Sequence, residues 1–313
     1  MDVRNSIRLE NKNGLMLVLF TALISGFSIF INSYGVKEFD SSIFTFLKNL
    51  VVAVLLFVIV LSISLFSELK KLSKKNWLQL IFIGLIGGSI PFLLFFKGLQ
   101  MTTGTTSAFI HKTMFVYIAI FAIVFLKEKL TKGLLIGASL LMLGNYLMIK
   151  PSFSFSAGHV LIIIATIFWA AENTYAKHVL KEISGTVVAF GRMLFGSLFI
   201  LIFLTAAGKM NLLGKLTASH YWWIGLSSMF LLLYVITFYN GLKQVKVSTA
   251  ACILTLGAPV TTMLSWIFSG KSVSLSQALG MLLIVAGIIC VIGFSYIVSS
   301  AAIIFRVKDY GRN

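Results

Sequence analysis

Acidic residues are scarce in this 313-residue sequence: nine Asp and Glu stand against 26 Lys and Arg, and charged residues of either sign make up only 11% of the chain. A soluble domain carries about a quarter of its residues charged, so a water-exposed globular fold is excluded. Cysteine is nearly missing. Cys252 and Cys290 both fall inside apolar runs, which supports neither a disulfide framework nor a thiolate metal site and leaves them as small packing residues. The signatures of enzyme chemistry are missing as well. There is no Gly-rich loop ending in Lys-Ser/Thr, no His-Glu-x-x-His helix, and no Ser, His and acid set in an aqueous segment. ATP-driven pumping and intramembrane hydrolysis therefore have no support; the expectation is a non-enzyme with no cofactor and no metal.

Hydrophobic residues, in contrast, make up 58% of the chain. They gather in ten runs, read as helices over 14–33, 43–64, 78–98, 104–126, 131–149, 158–178, 185–205, 221–241, 249–268 and 275–296. Each is close to the roughly 20 residues that cross a bilayer core. The run behind Arg4, Arg8 and Lys12 is too long for a signal peptide and lacks a small-residue cleavage site before the next charges, so it is read as a retained span. The fold class expected is an all-α polytopic membrane protein. With the N-terminus inside, 17 of the basic residues fall in inner segments and five (Lys37, Lys150, Lys209, Lys215 and Lys271) in outer loops. That bias places both termini in the cytoplasm of a cell-membrane protein. The net charge of +17 is thereby an orientation signal, and nucleic acid is not an expected partner. The basic end of the chain is expected against anionic headgroups, with about 295–305 either extending the last helix or lying along the interface.

An internal repeat divides the chain. Phe95-Phe96-Lys97-Gly98-Leu99 and Phe238-Tyr239-Asn240-Gly241-Leu242 match at a spacing of 143, which also pairs Thr106 with Thr249, Ala108 with Ala251, Gly137 with Gly280 and Gly144 with Gly287. At 144, Gly14 meets Gly158, Phe46 meets Phe190 and Lys48 meets Arg192. The division is 1–150 and 151–298 as two five-helix repeats, then a basic cytoplasmic tail over 299–313. Five spans are an odd number, so the second repeat must enter the membrane opposite to the first, and its loop charges invert accordingly. Inverted repeats of this kind typically enclose a central solute site worked by alternating access.

On these residues the chain resembles the EamA-type branch of the drug/metabolite transporter superfamily. The resemblance rests on the paired Phe-x-x-Gly-Leu segments, the Leu126-Lys127-Glu128-Lys129-Leu130-Thr131 turn, Pro259, the Gly137/Gly144 and Gly280/Gly287 spacings, and Trp169 with Tyr175-Ala176-Lys177. It runs from about residue 12 to 293. Two departures stand out: Val116 occupies the position equivalent to Pro259, and Lys271 the position equivalent to Glu128. The resemblance implies export or exchange of small organic solutes.

Ionisable groups at membrane depth are costly and are functional candidates by default. Here they are Lys48, Lys97, His111, Lys112, Glu172 and Arg192. Lys97 is placed either snorkelling outward or on the path. Lys48 and Arg192 are repeat equivalents, which favours bonding to helix-end carbonyls over ligand contact. His111 and Lys112 match Leu254 and Thr255, so their polarity belongs to what distinguishes the halves. Glu172 is the one acid in any span; Trp169, Glu172, Asn173 and Ala176 share a helix face that should look inward. Three roles stay open for Glu172: an ion pair with Lys112, Lys177 or Arg192, a contact to a solute amine, and proton coupling. Phe95, Phe115, Trp169, Tyr175, Tyr234 and Tyr239, with Asn240, are candidates for the walls of the path, packing being the competing reading. The glycine stripes are read as helix packing or dimer contacts, and Pro259 as a kink or hinge.

The function expected is a secondary transporter, an exporter by direction, of a small organic metabolite such as an amino acid or organic acid. The solute and the lipid bilayer are its partners, and the chain is a monomer or weak homodimer. The cationic excess at membrane depth favours a solute bearing a carboxylate. Two rival readings remain: an anion-selective channel-like pore, and a translocator of drugs or lipid-linked solutes.

Overall fold

The computed structural model describes residues 12–35, 40–62, 65–102, 104–151, 156–270 and 272–310. The protein is an all-α polytopic membrane protein, with ten apolar helices among the described residues long enough to cross a bilayer. They are α1 (Lys12–Gly35), α2 (Ser41–Ser62), α3 (Lys74–Gly88 and Ile90–Gln100), α4 (Gly104–Lys112 and Met114–Leu126) and α5 (Lys132–Ile149), then α6 (Ala157–Val179), α7 (Gly185–Ala206), α8 (Ala218–Gln244), α9 (Val247–Leu254 and Gly257–Ser269) and α10 (Leu275–Tyr310). A short helix, Phe66–Lys71, precedes α3, and a 3-10 turn, Met210–Lys215, precedes α8. The helices sit within a few residues of the apolar runs because backbone groups in lipid must be satisfied within the segment. α10 continues its backbone helix through residue 299 to Tyr310. Arg4, Arg8, Lys37, Lys271 and Arg312 lie outside the described residues.

Three spans are broken, and only the region of Pro259 is anticipated by the sequence reading. α4 is interrupted at Thr113, whose N–H is shared between the Phe109 and Ile110 carbonyls at 3.1 Å each. α9 breaks at Thr255 and Leu256, where the Leu256 N–H bonds the Ile253 carbonyl at 3.0 Å. Thr113 and Leu256 are 143 residues apart. The interruption therefore occurs at equivalent positions whether the nearby residue is Pro259 or Val116, and in α9 it lies just before the proline. The third break, at Ser89, has no counterpart in α8, which is continuous.

Helix contacts recur under the same offset. α1 packs on α8 and α6 on α3, α1 on α9 and α6 on α4, while α5 packs on α10 and α2 on α7. Glycines make the closest of these approaches. A Cβ on Gly144 would lie 2.7 Å from the Gly280 carbonyl oxygen, and one on Gly137 2.7 Å from that of Gly287. The two stripes thus pack α5 against α10 within one chain and are not free for a dimer contact. Apolar side chains such as Phe125, Leu282 and Ile289 remain exposed, as a lipid-facing surface requires.

Polar connections at the helix ends fall into two sets. Lys75 pairs with Glu182 at 3.2 Å, the Ser184 N–H donates to Glu68 at 2.7 Å, and the Lys243 ammonium donates to the Ile183 carbonyl at 3.1 Å. These join even-numbered loops to one another. Lys209 pairs with Asp40 at 2.7 Å, and Tyr34 bonds Ser269, joining odd-numbered loops. Antiparallel spans with alternating loop sides account for both sets.

Candidate functional site

The site begins with a missing hydrogen. Pro91 has no N–H, so the Gly87 carbonyl four residues earlier loses its normal helical partner. Two side chains take the vacated place: the Trp169 indole Nε1 of α6 and the Arg192 guanidinium of α7, each 3.1 Å from the Gly87 oxygen. Asn49 of α2 donates to the neighbouring Gly88 carbonyl at 3.0 Å. Ser89 turns the chain between the two pieces of α3 and bonds the Leu85 carbonyl through its hydroxyl at 2.9 Å. Side chains of three spans thus meet at two consecutive carbonyls of a fourth.

Glu172 lies against this break. It is 1% exposed and accepts a hydrogen bond from the Tyr239 hydroxyl of α8 at 2.5 Å. A Cβ placed on Gly87 would run into the Glu172 side chain and sit 3.1 Å from Arg192 Nε. Residue 87 is therefore glycine because α6 and α7 bring a carboxylate and a guanidinium over its Cα. Measured from that Cβ position, the Glu172 Cδ is at 2.8 Å, so the two charged groups are no more than about 6 Å apart. The Arg192 Nε is buried and has no hydrogen-bond partner among the described residues.

An aromatic group covers the other side of Trp169. Ring centroids lie at 5.1 Å for Phe92, 5.5 Å for Phe95 and 4.9 Å for His111, and His111 is 5.3 Å from Phe95. These are the separations of edge and tilted aromatic packing. His111 Nδ1 is buried and has no hydrogen-bond partner among the described residues. Lys112 follows it at the last turn of the first piece of α4, half-buried, where the carbonyl end of a helix favours a cation.

The structure brings Trp169, Glu172, Tyr239, Arg192 and His111 together and gives several other candidates contacts of their own. Asn173 bonds back to the Trp169 carbonyl at 2.9 Å. Asn240 bonds the Ile236 carbonyl at 2.9 Å and Thr186 at 3.2 Å. Phe115 is a core residue, and Lys97 is exposed. Lys48 lies 4.9 Å from the Phe44 ring centroid, so the equivalence of Lys48 with Arg192 does not extend to their contacts. Lys177 is a correction: it does not reach Glu172, because its ammonium holds the carbonyls of Leu242, Lys243 and Val245 at 2.7, 3.1 and 2.5 Å and so closes the C-terminal end of α8. Sequence reasoning missed Gly87, Pro91, Phe92 and Asn49. The proline inside an apolar run was a visible signal, and so was the amide of Asn49 inside the second run.

The model of the EamA-like transporter family matches this sequence twice, over residues 12–150 and 156–293. The chain belongs to the EamA-like transporter family. Each match covers one set of five spans, so both the Glu172 cluster and the paired breaks in α4 and α9 draw on the two matched segments. Among curated relatives, the uncharacterized transporter YyaM of Bacillus subtilis (strain 168) is 23% identical over 296 residues, 91% of this chain and 95% of that protein. An uncharacterized transporter of Archaeoglobus fulgidus is 24% identical over 230 residues, 71% and 80% of the two chains. A solved crystal structure superimposes with a TM-score of 0.74 at 14% identity, covering 89% of this chain and 97% of that one, a likeness that speaks for the fold. As an EamA-like protein the chain is a transporter in a lipid bilayer, with a solute as its partner.

Proposed function

We propose that this transporter is a secondary carrier that exports a small organic metabolite bearing a carboxylate, an amino acid or organic acid, by alternating access around a cavity between its two five-helix repeats. The observation that carries this reading is the pair of breaks at Thr113 and Thr255–Leu256, at equivalent places in the two halves. Interrupted helices at corresponding positions mark the binding region of inverted-repeat carriers. Lys112 ends the first piece of α4 at that level, with His111 against Trp169. In this reading Lys112 and Arg192 attract the carboxylate, the Phe92, Phe95 and Trp169 rings wall the path, and Glu172 meets an amino group where the solute has one. The halves are residues 1–150 and 151–298 in opposite orientation, with both termini on the cytoplasmic side of the cell membrane. Because the α5 and α10 glycines are used within the chain, the carrier is a monomer or a weak homodimer held elsewhere.

A thermal-shift screen of the purified protein against amino acids, organic acids, nucleosides and cationic drugs tests the charge argument. Carboxylate solutes should raise the melting temperature of the parent protein, and Lys112→Ala should abolish that rise. Stabilisation by cationic drugs alone would overturn the assignment. Glu172→Ala should weaken amino acids more than simple organic acids; equal effects on both would remove the amine contact.

A further inference from the structure

The helix α9 starts without a cap of its own. Its first residues follow Lys246, which offers no side-chain acceptor to the exposed N–H groups. The acceptor comes from the other half of the chain. Glu128, in the turn after α4, accepts from the Val247 N–H at 2.9 Å, the Ser248 N–H at 3.4 Å and the Ser248 hydroxyl. The turn is shaped for this. Lys127 takes a left-handed conformation with φ 57°, unusual for a residue with a Cβ, and the Glu128 N–H closes on the Ala122 carbonyl at 3.0 Å. A carboxylate at a helix N-terminus gains from both the hydrogen bonds and the helix dipole. The second piece of α4 also packs along the first piece of α9, so Glu128 ties the two broken helices together at one membrane face.

The opposite face has no equivalent in the sequence. α9 ends on Gly270 with φ 64°, and the position 143 residues after Glu128 is Lys271. A lysine has no acceptor and carries the wrong sign for a helix N-terminus. We infer that Glu128 is a one-sided gate residue: its carboxylate holds the α4–α9 contact shut at the face bearing the α4–α5 turn and biases the carrier toward opening at the other. Resting on the alternating-access reading above, this assigns one contribution to the bias between the two open forms to a residue outside the solute path. Opening at the latched face must break the Glu128 bonds. Opening at the other face leaves them intact.

Two single-cysteine reporters test it in the full chain reconstituted in lipid nanodiscs, where a membrane-impermeant maleimide reaches both faces. Cys252, buried in the first piece of α9, reports one face in a Cys290→Ser background. Phe109→Cys, at the equivalent position in α4, reports the other once both native cysteines are serine. Glu128→Gln should speed modification of Cys252 about tenfold or more, the loss expected for hydrogen bonds to a charged group, and should slow modification at position 109. Thr131→Ala removes the cap that Leu134 N–H finds at 3.1 Å in the same turn and should change neither rate. Cys252 reactivity unchanged by Glu128→Gln, or raised as much by Thr131→Ala, would refute the latch. A faster Cys252 with no change at position 109 would support the latch while contradicting alternating access.

Discussion

Removing Arg192 should cost stability mainly through Glu172, and the size of that cost follows from the structure. The two groups are no more than about 6 Å apart, so at an effective dielectric of about 20 their attraction is worth about 3 kcal/mol. Arg192 also donates to the Gly87 carbonyl at 3.1 Å, a bond worth about 1 kcal/mol net. Arg192→Gln alone should therefore destabilise by about 4 kcal/mol, the scale expected when one member of a buried pair is deleted. With Glu172→Gln already present, the same substitution loses only the Gly87 bond and should cost about 1 kcal/mol. Unfolding free energies from sodium dodecyl sulfate titration of the four proteins in this cycle give a coupling near 3 kcal/mol if the reasoning holds. Additivity to within about 0.5 kcal/mol would refute it, and would mean that Arg192 serves Gly87 alone. Lys177→Gln supplies the control: because Lys177 is committed to α8 carbonyls, it should show no coupling to Glu172.

Three further outcomes are expected. Pro91→Ala returns an N–H that competes for the Gly87 carbonyl, so the Trp169 indole should lose its acceptor and shift the protein's fluorescence; an unchanged spectrum, or the same shift in a Trp169→Phe background, would contradict the role given to Pro91. Gly144→Ala forces a Cβ to within 2.7 Å of the Gly280 oxygen and should cost about 1–3 kcal/mol as overpacking, whereas Gly225→Ala, which meets nothing within 4 Å, should be neutral or stabilising by up to about 1 kcal/mol. Burial opposes ionisation of Asp40, yet its hydrogen bonds from Lys209, Ile43 and Ser42 hold the carboxyl below the usual carboxylate range. A depressed acid contributes stability that is present above its unfolded pKa and is lost as pH falls through the folded value. The melting temperature should therefore decline on the acid side of about pH 4, and Asp40→Asn should flatten that decline.

The membrane spans were legible because lipid leaves little choice: a run of about 20 apolar residues with few charges has one stable form. Gly137, Gly144, Gly280 and Gly287 were legible as packing residues for a similar reason, since small side chains at one spacing mark close helix approach; that α5 and α10 meet each other required the structure. The site was only partly readable. Glu172, Arg192 and Trp169 stood out as polar groups in apolar surroundings, but their meeting point, the Gly87 carbonyl, depends on a backbone bond that Pro91 fails to make. Thr113 gave no warning of a break, because no proline or glycine sits at it. Lys177 was one of three ion-pair partners left open for Glu172; its ammonium is taken instead by carbonyls at the C-terminal end of α8, a tertiary contact that no local pattern announces. The same holds for Glu128, whose partners lie about 120 residues away.

The most direct test of the account is counterflow in proteoliposomes loaded with a carboxylate solute selected by thermal shift. A carrier that exposes one site to each compartment in turn should take up labelled solute faster when unlabelled solute is inside, with saturation on both sides, and Lys112→Ala should abolish this uptake. Flux that is indifferent to internal solute, with single-channel currents across a planar bilayer, would contradict alternating access and leave a pore in its place.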